Sequence, residues 1–210
     1  FLSDGCMFGS KKDIGTSQQR YRMNIGQSGI SGYNLLREVQ RFSGGALYGP
    51  YQPKTIKIRK PEKAWVLAWL GRELYEHFLS LGFTPRKSLT VAVPDVPKEL
   101  RAHFFRGVFH GDGSFTKASR TGTLLLSITG GSRVVLEALA EWLTEELGQK
   151  SYVIETRRKC PKSRKLGTYW KLALSENPTR VVSDWMYAGK EYSVWLPRKY
   201  LKMAKQEGWD

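Results

Sequence analysis

An α+β fold of two pseudo-symmetric halves, each an αββαββα unit with an antiparallel sheet, is predicted by three features of the sequence. First, the order strand, strand, helix, strand, strand, helix occurs twice along the 210 residues, and an Asp-Gly pair opens each pass. Second, several strand-like segments alternate apolar and polar residues. Third, the segment Pro85–Pro97 holds three prolines and favours an extended connection. We therefore expect an N-terminal half over residues 1–95 and a C-terminal half over residues 96–210.

The first pass follows Asp4-Gly5 and is read from alternation, capping residues and glycines. Its second predicted hairpin opens on alternating Thr, Ile, Lys, Ile and Arg, so one face of that strand would be apolar and the other cationic. The predicted elements are strands at Cys6–Ser10 and Arg20–Ile25, a helix over Tyr33–Phe42 capped by Ser31, strands at Thr55–Arg59 and Trp65–Leu70, and a helix over Glu73–Leu81 stopped by Gly82.

The second pass is centred on a strongly helical segment with an apolar stripe of Leu136, Leu139, Ala140 and Leu143. The predicted elements are a helix over Glu99–Gly111, a hairpin of Ser114–Ser119 and Leu124–Thr129, a helix over Val134–Leu147 capped by Ser132, a hairpin of Tyr152–Arg157 and Thr168–Leu174, and helices over Thr179–Ala188 and Lys199–Gln206.

The charge balance indicates a polyanionic partner. Lys and Arg number 34 against 19 Asp and Glu, which gives a formal net charge of +15 and a pI near 9.9. The cations are spread over the whole length, and spread cations are rewarded by counterion release from nucleic-acid phosphates. A basic surface without a partner is the alternative.

Several other classes of protein are disfavoured. Only Cys6 and Cys160 are present, with three histidines, so neither a disulfide framework nor a structural zinc site is expected. No apolar run reaches the roughly 20 residues that cross a bilayer, and no signal-like segment opens the chain. We expect an intracellular, soluble protein without a membrane partner.

Two segments carry a resemblance to a known family. The run Phe104–Ser114 is an apolar helix with spaced small residues that ends in Asp112-Gly113, and Phe1–Gly5 matches the end of a first copy of the same motif. These motifs, with the proline-rich join between them, resemble the single-chain LAGLIDADG homing endonucleases. The chain begins inside the first motif helix, so we expect further residues before Phe1. A histidine, His110, stands where many relatives have aspartate, and we interpret it as a supporting residue.

The resemblance implies a monomeric, metal-dependent endonuclease that cleaves both strands of a long, specific DNA duplex. Its two motif helices would pack side by side, in a saddle of sheets over the DNA, and Asp4 and Asp112 would bind Mg²⁺ at a shared site, with Mn²⁺ or Ca²⁺ able to replace it for binding. Ser3 and Gly111, which precede the aspartates, are the further expected metal ligands.

The residues themselves give a second reason to examine Asp112. A carboxylate at the C-terminus of a helix is unfavourable unless a cation lies beside it, and carboxylate and carbonyl oxygens suit Mg²⁺. The alternative is that Asp112-Gly113 is a simple turn. Gly107 and Gly111 lie four apart and would let another helix approach closely, unless they are merely tolerated weak helix formers.

Further catalytic candidates are Lys87 and Lys199, which follow the two aspartates at near-equal offsets, and Gln27, which matches a polar family position that orders water. Gly130 replaces the polar side chain in the second half, so the two DNA strands would be cut at unequal rates. Arg86 and Arg198, beside the lysines, could equally contact the DNA backbone.

Antiparallel sheets fit the major groove, so the cations of the strands and their loops are the expected DNA contacts. The segment Arg157–Lys165 alone holds six cations in nine residues. The candidates are Lys11, Lys12, Gln18, Arg20, Arg22, Lys54, Lys57, Arg59, Lys117, Arg120, Arg157, Arg158, Lys159, Lys162, Arg164, Lys165 and Lys171. The rival functions are an intron maturase or DNA-binding regulator of the same fold without cleavage, and a ribosomal or other structural nucleic-acid protein.

Overall fold

The chain folds into two compact units, residues 1–87 and 88–210. The fold is that of a computed structural model, which describes residues 5–9, 21–52, 62–85, 89–118, 120–159, 166–188 and 197–207. Each unit builds one four-stranded antiparallel sheet and covers one face of it with helices. The predicted α+β class with two similar halves is therefore confirmed.

The first unit has its strands in the order β1-β2-β4-β3. Apolar residues on alternate positions of β2 and β4 form its core, with Met23 and Leu67 fully buried beside Leu36 of the first helix. Its elements are β1 (Gly5–Gly9), β2 (Tyr21–Ser28), α1 (Gly29–Ser43), β3 (Ala46–Tyr51), β4 (Ala64–Leu70) and α2 (Arg72–Ser80).

The second unit repeats the same strand order as β5-β6-β8-β7. A short 3₁₀ turn, Lys98–Leu100, leads into its first helix. Its elements are α3 (Arg101–Asp112), β5 (Gly113–Lys117), β6 (Leu124–Gly130), α4 (Arg133–Leu147), β7 (Tyr152–Lys159), β8 (Leu166–Leu174), α5 (Glu176–Tyr187) and α6 (Pro197–Glu207).

The core of the second unit confirms the predicted apolar stripe. Leu136, Leu139 and Leu143 of α4 are buried, as are Leu126 and Ile128 on alternate positions of β6. In the described ranges the helices pack on the face that carries these buried residues, and we call the opposite face of each sheet its open face. Among the helices in the described ranges, none is long and apolar enough to span a membrane.

The start of α1 differs from the sequence prediction, and the proposed cap at Ser31 is wrong. The helix begins at Gly29 directly after β2, and Ser28 occupies the N-cap position without a side-chain hydrogen bond. Gly29 has a φ of 74°, a conformation that favours glycine, and its amide donates to the Lys63 carbonyl at 2.9 Å. The chain therefore turns into the helix two residues before Ser31.

The sequence reading also missed β3. This strand pairs with β4, with Leu47 opposite Leu67, and the register is irregular between Tyr48 and Tyr51. Gly49-Pro50 interrupts its apolar alternation, and a proline is compatible only with an edge position such as this one. The predicted strand Thr55–Arg59 lies outside the described residues.

The join between the halves belongs to the second unit from Ser88 onwards, earlier than the expected boundary at residue 95. Val91 is buried, and its carbonyl accepts a hydrogen bond from Ser132 Oγ at 2.7 Å. The same hydroxyl accepts from the amide of Val135, so Ser132 caps α4 as predicted. Packing against this cap attaches the proline-rich segment to the second half.

Candidate metal and nucleic-acid site

The Asp-Gly pair of the second half joins α3 directly to β5. Asp112 is the last helical residue and its side chain is exposed, while Gly113 is the first residue of the strand. Gly113 has φ −86° and ψ 161°, which is extended backbone, so the alternative of a simple Asp-Gly turn is wrong. A Cβ at position 113 would lie 2.6 Å from the carbonyl oxygen of Phe109 and against its ring. Glycine is therefore required here for space, and it fixes where Asp112 emerges.

A lysine binds the backbone at the same junction. Lys199 Nζ of α6 donates to the carbonyl of Phe109 at 2.6 Å and to that of Gly113 at 2.5 Å, and it lies 3.5 Å from the carbonyl of Gly111. It also lies 5.1 Å from the centroid of the Phe109 ring. The cation that Asp112 needs at a helix C-terminus is thus supplied by the chain itself.

Buried polar residues attach the other side of α3 to α5. Arg106 is only 2% exposed, and it donates through Nη1 to the carbonyl of Met186 at 2.7 Å. Its Nη2 lies 2.8 Å from Nδ1 of His103. His110, also buried, bonds through Nε2 to the Tyr187 hydroxyl at 3.2 Å. His110 thus takes part in the packing of α3 against α5, and its supporting role in activity stays a prediction.

Burial sets the ionisation of this network. Burial lowers the pKa of the Arg106 guanidinium and raises the pKa of the Tyr187 phenol. Burial, and then the charge of Arg106, lowers the pKa of His103, so its neutral ring accepts from the arginine. The sequence reading missed Arg106 and Tyr187. The sequence did offer one indication, because Arg106 lies inside an apolar run of α3. A cation buried in such a run needs polar partners from another element.

Gly107 lies on the exposed side of α3. Within the described residues, a Cβ added there would meet no atom within 4 Å. The close helix packing expected of Gly107 and Gly111 stays a prediction.

The strand registers establish which residues of the two halves correspond. Gly5 pairs with Ile25 in the first sheet, and Gly113 pairs with Ile128 in the second. Asp112 immediately precedes Gly113, and Asp4 immediately precedes Gly5, although Asp4 itself lies outside the described residues. The equivalence of the two Asp-Gly pairs thus rests on strand pairing as well as on sequence.

Gln27 lies at the end of the first sheet where β1 begins. It stands two residues beyond Ile25 and pairs with Trp65, and Gly130 stands two residues beyond Ile128 and pairs with Trp170. The side chain of Gln27 is 9% exposed and faces α1.

Gly32 of α1 makes room for Gln27. A Cβ at position 32 would lie 2.8 Å from the Cβ of Gln27. At Gly130, by contrast, an added Cβ would meet no atom within 4 Å among the described residues. The two halves therefore differ at one corresponding position, with an amide in one and open space in the other.

The donors at the α3 junction suit one class of metal ion. Within the described ranges, no group of three His, Cys, Asp or Glu side chains could form a closed metal cage. The junction offers the exposed carboxylate of Asp112 and the backbone oxygen of Gly111, which are hard ligands. Mg²⁺ is typically bound by one or two carboxylates and completes its shell with water and phosphate oxygens. The residues present therefore fit Mg²⁺ better than zinc.

The predicted DNA contacts fall on different faces of the sheets. Lys171 pairs with Thr129 on the open face of the second sheet. Lys117 pairs with the buried Leu124 and so lies on the helix side, and by the same alternation Arg157 and Glu155, which form an ion pair of 2.8 Å, also lie there. Arg22 lies on the open face of the first sheet, and Arg120 lies exposed in the β5–β6 turn.

The remaining candidates lie outside the described residues. These are Ser3, Asp4, Lys11, Lys12, Gln18, Arg20, Lys54, Lys57, Arg59, Arg86, Lys87, Lys162, Arg164 and Lys165. Of Arg158, Lys159 and Arg198, only the backbone is described, within β7 and α6.

Comparison with known proteins gives one family match. Residues 99–181, which run from the 3₁₀ turn into α5, match the family described as LAGLIDADG-like domain. No curated protein sequence matches the chain.

Solved structures share the fold of both halves. A variant of I-DmoI in complex with its target DNA in the presence of magnesium has a TM-score of 0.51 at 15% identity, with 87% of this chain and 88% of that chain covered. A variant of I-SmaMI gives 0.52 at 14% identity and covers 99% and 86%. The N-terminal LAGLIDADG domain of DUF199/WhiA gives 0.51 at 14% identity and covers 80% and 69%. At these identities the likeness shows a common fold.

Proposed function

We propose that this chain, which matches a LAGLIDADG-like domain over residues 99–181 and shares its fold with I-DmoI, is a site-specific endonuclease that hydrolyses both strands of a DNA duplex with a divalent metal ion. The observation that carries the proposal is the junction of α3 and β5. There Asp112 presents an exposed carboxylate. Gly113 next to it leaves no room for a Cβ, and Lys199 binds the surrounding backbone carbonyls, so the backbone around Asp112 has a defined position.

In this proposal Asp112 is the metal-binding acid of the second half and Asp4 is its counterpart, with Gly111 and Ser3 as further ligands. The bound ion, Mg²⁺ or a substitute such as Mn²⁺, would polarise the scissile phosphate and supply an activated water molecule. Ca²⁺ would support binding.

The protein's own residues position these groups. Lys199 keeps the carbonyls of Phe109 and Gly113 in place, and its positive charge offsets the negative end of α3 beside Asp112. Lys87 would serve the first half, Gln27 would order water there, and Arg86 and Arg198 would contact phosphate.

The charge and the open faces support DNA as the substrate. A net charge of +15 attracts a polyanion, and the antiparallel sheets present open faces of a kind that fits a major groove. One I-DmoI variant structure is a complex with its target DNA in the presence of magnesium, and another I-DmoI structure is a complex with DNA and manganese. We propose a long specific duplex as the target and a monomer as the active form.

A DNA-binding regulator or maturase without cleavage is the second candidate. The DUF199/WhiA domain resembles this chain with the same TM-score as the I-DmoI variant, 0.51. Lys199 also donates to backbone carbonyls in a manner that would serve a purely structural role. This candidate predicts duplex binding that never leads to strand scission.

The two candidates are separated by a cleavage selection. The chain is incubated with a randomised duplex library and Mg²⁺, and newly formed ends are sequenced. Asp112→Asn removes the metal-binding charge while keeping the shape, so we expect cleavage to fall about 100- to 1000-fold, a loss comparable with that of other directly acting groups. Binding of the selected duplex in Ca²⁺ should persist.

Asp184→Asn is the matched control, because Asp184 is an exposed aspartate of α5 remote in sequence from the junction. It should cleave like the wild type. Sequence-selective binding by the wild type with no Mg²⁺-dependent ends would favour the regulator, and cleavage by Asp112→Asn at the wild-type rate would refute the role given to this carboxylate.

A further inference from the structure

The open face of the first sheet holds one arginine within a row of apolar side chains. Arg22 of β2 stands opposite Phe8 of β1 on one side and Leu70 of β4 on the other. We infer that Arg22 reads a guanine in the major groove of the target, as a specificity-determining residue and not as a phosphate contact. This inference rests on the proposed DNA-binding function and assigns a base to one position of it.

The surroundings of Arg22 are apolar on three sides. Phe8 and Leu70 are 54% and 69% exposed, so both present apolar surface beside the guanidinium on the open face. Directly opposed residues on neighbouring strands have Cβ atoms about 5 Å apart, which is close enough for these long side chains to interact. The guanidinium carbon also lies 5.8 Å from the ring centroid of Tyr48 of β3.

This arrangement is unlike that of a typical phosphate contact. An exposed cation on a mobile stem is enough for a phosphate contact, which carries no base information. Arg22, by contrast, is partly buried, and its Nε is enclosed with no hydrogen-bond partner in the part of the chain that the structure describes. No ion pair seen among those residues involves Arg22. A guanidinium held in one place keeps its planar fork ready for two parallel acceptors, and the O6 and N7 atoms of guanine provide that pair in the major groove.

The apolar neighbours add a second component. When DNA covers this face, Phe8 and Leu70 exclude water from around the guanidinium, and a hydrogen bond from a charged donor strengthens as water leaves. The same side chains can contact the methyl group of a neighbouring thymine. A guanine flanked by thymine is therefore the step that this row fits.

The second half has no such arginine at the corresponding place. Leu125 precedes Ile128 by the same interval as Arg22 precedes Ile25, and Thr116 corresponds in register to Phe8. The polarity is thus exchanged, with an aliphatic side chain where the first half has a cation. The guanine requirement should hold for one half-site only.

The test uses a duplex selected from a randomised library by the wild-type chain in Ca²⁺, so that binding is measured without cleavage. Each guanine is then replaced in turn by 7-deazaguanine, which lacks the N7 acceptor. For the wild type, one replacement in one half-site should lower affinity about 5- to 100-fold, the range for a bidentate base contact. For Arg22→Met that same replacement should change nothing, because its partner is gone.

Two further variants make the result specific. Arg22→Lys keeps the charge but not the planar fork, so it should bind random duplexes like the wild type while its preference for the guanine weakens. Arg41→Met removes one positive charge from helix α1, on the other face of the same sheet, and should keep the full response to 7-deazaguanine. Thermal melting of each variant checks that it is folded.

A uniform loss of affinity by Arg22→Met for all duplexes, with a shallower salt dependence and an unchanged 7-deazaguanine response, would identify a phosphate contact and overturn the inference. If the wild type selects no duplex at all in Ca²⁺, the DNA-binding function and the assignment of Arg22 fall together. Selective binding without Mg²⁺-dependent cleavage would remove only the nuclease proposal and leave Arg22 to be judged by its own variants.

Discussion

Gly113 and Lys199 together fix the place where Asp112 emerges. Gly113 lets the strand begin against the Phe109 carbonyl and ring, where a Cβ would collide. The ammonium group of Lys199 then donates hydrogen bonds to the carbonyls of both Phe109 and Gly113. Carbonyls at the end of a helix lack helical partners, so a cation there satisfies hydrogen bonds and opposes the helix dipole at once.

This role makes Lys199 a determinant of stability. Lys199→Met should lower the free energy of unfolding by about 1–3 kcal/mol, because carbonyls bound to a charged donor lose it. Chemical denaturation of the variant measures the change. Lys205→Met, an exposed lysine on the same helix, should change it by less than about 0.5 kcal/mol. Equal stability of the two variants would show that Lys199 does not hold the junction.

Helix α3 is the element on which the proposed chemistry depends, and buried polar groups anchor it. Arg106 reaches the end of α5 through the Met186 carbonyl, and His110 reaches it through Tyr187. These bonds have direction, whereas the apolar contacts beside them, such as that of Phe105 with Trp185, tolerate sliding. The network therefore fixes how α3, which ends in Asp112, is rotated about its axis and shifted along it relative to α5.

The network predicts a dependence of stability on pH. The pKa of His103 lies below its usual value of 6.5 in the fold, because of burial and then because of Arg106. The unfolded chain thus takes up a proton at higher pH than the folded one, so stability is full above about pH 6.5 and is lost as the pH falls through the lowered pKa.

Melting temperatures measured between pH 7.5 and 5 should show this loss. His103→Gln keeps an oxygen that can accept from Arg106 but does not titrate, so its melting temperature should fall less over the same range. His77→Gln, at an exposed histidine of α2, should retain the dependence of the wild type. An equal fall in all three proteins would assign the effect to other groups.

At the scale of the whole molecule, two sheets with one strand order carry different side chains at corresponding positions. Registers that place Gly5 opposite Ile25 and Gly113 opposite Ile128 align Gln27 with Gly130 and Arg22 with Leu125. The repeated backbone supplies the proposed binding and metal positions in duplicate. The differing side chains would make the two half-sites and the two cleavage events unequal.

Under the proposed function, the wild type should therefore nick one strand of its target faster than the other. Gly130→Gln has room for its Cβ among the described residues and should bring the two rates closer, by up to about 10-fold, as expected for a group that orients others around a metal. Gln27→Gly is the reciprocal variant and should slow its own strand by a similar factor. Strand-specific labelling of the selected duplex gives both rates, and a ratio unaffected by either variant would contradict the asymmetry.

Some elements of the fold could be predicted from the sequence because residues close together in the chain determine them. The stripe of Leu136, Leu139 and Leu143 marks α4 by its period alone, and Ser132 marks its start. The start of α1 at Gly29 depends instead on a hydrogen bond to Lys63, far along the chain, so a nearby serine was mistaken for the cap. Strand β3 was missed because pairing with β4, and not its own pattern, stabilises an edge segment that contains Pro50.

The sequence by itself determined the two-fold repeat, the α+β class, the excess of positive charge and the two Asp-Gly pairs, since each depends on the order and type of residues along the chain. Only the tertiary structure decided that Lys199 binds the carbonyls around Asp112, that Arg106 is buried against α5, and that Arg22 lies on an open face while Lys117 and Arg157 do not. These facts join segments distant in sequence, and strand register and helix packing are set by the balance of many weak contacts across the whole unit.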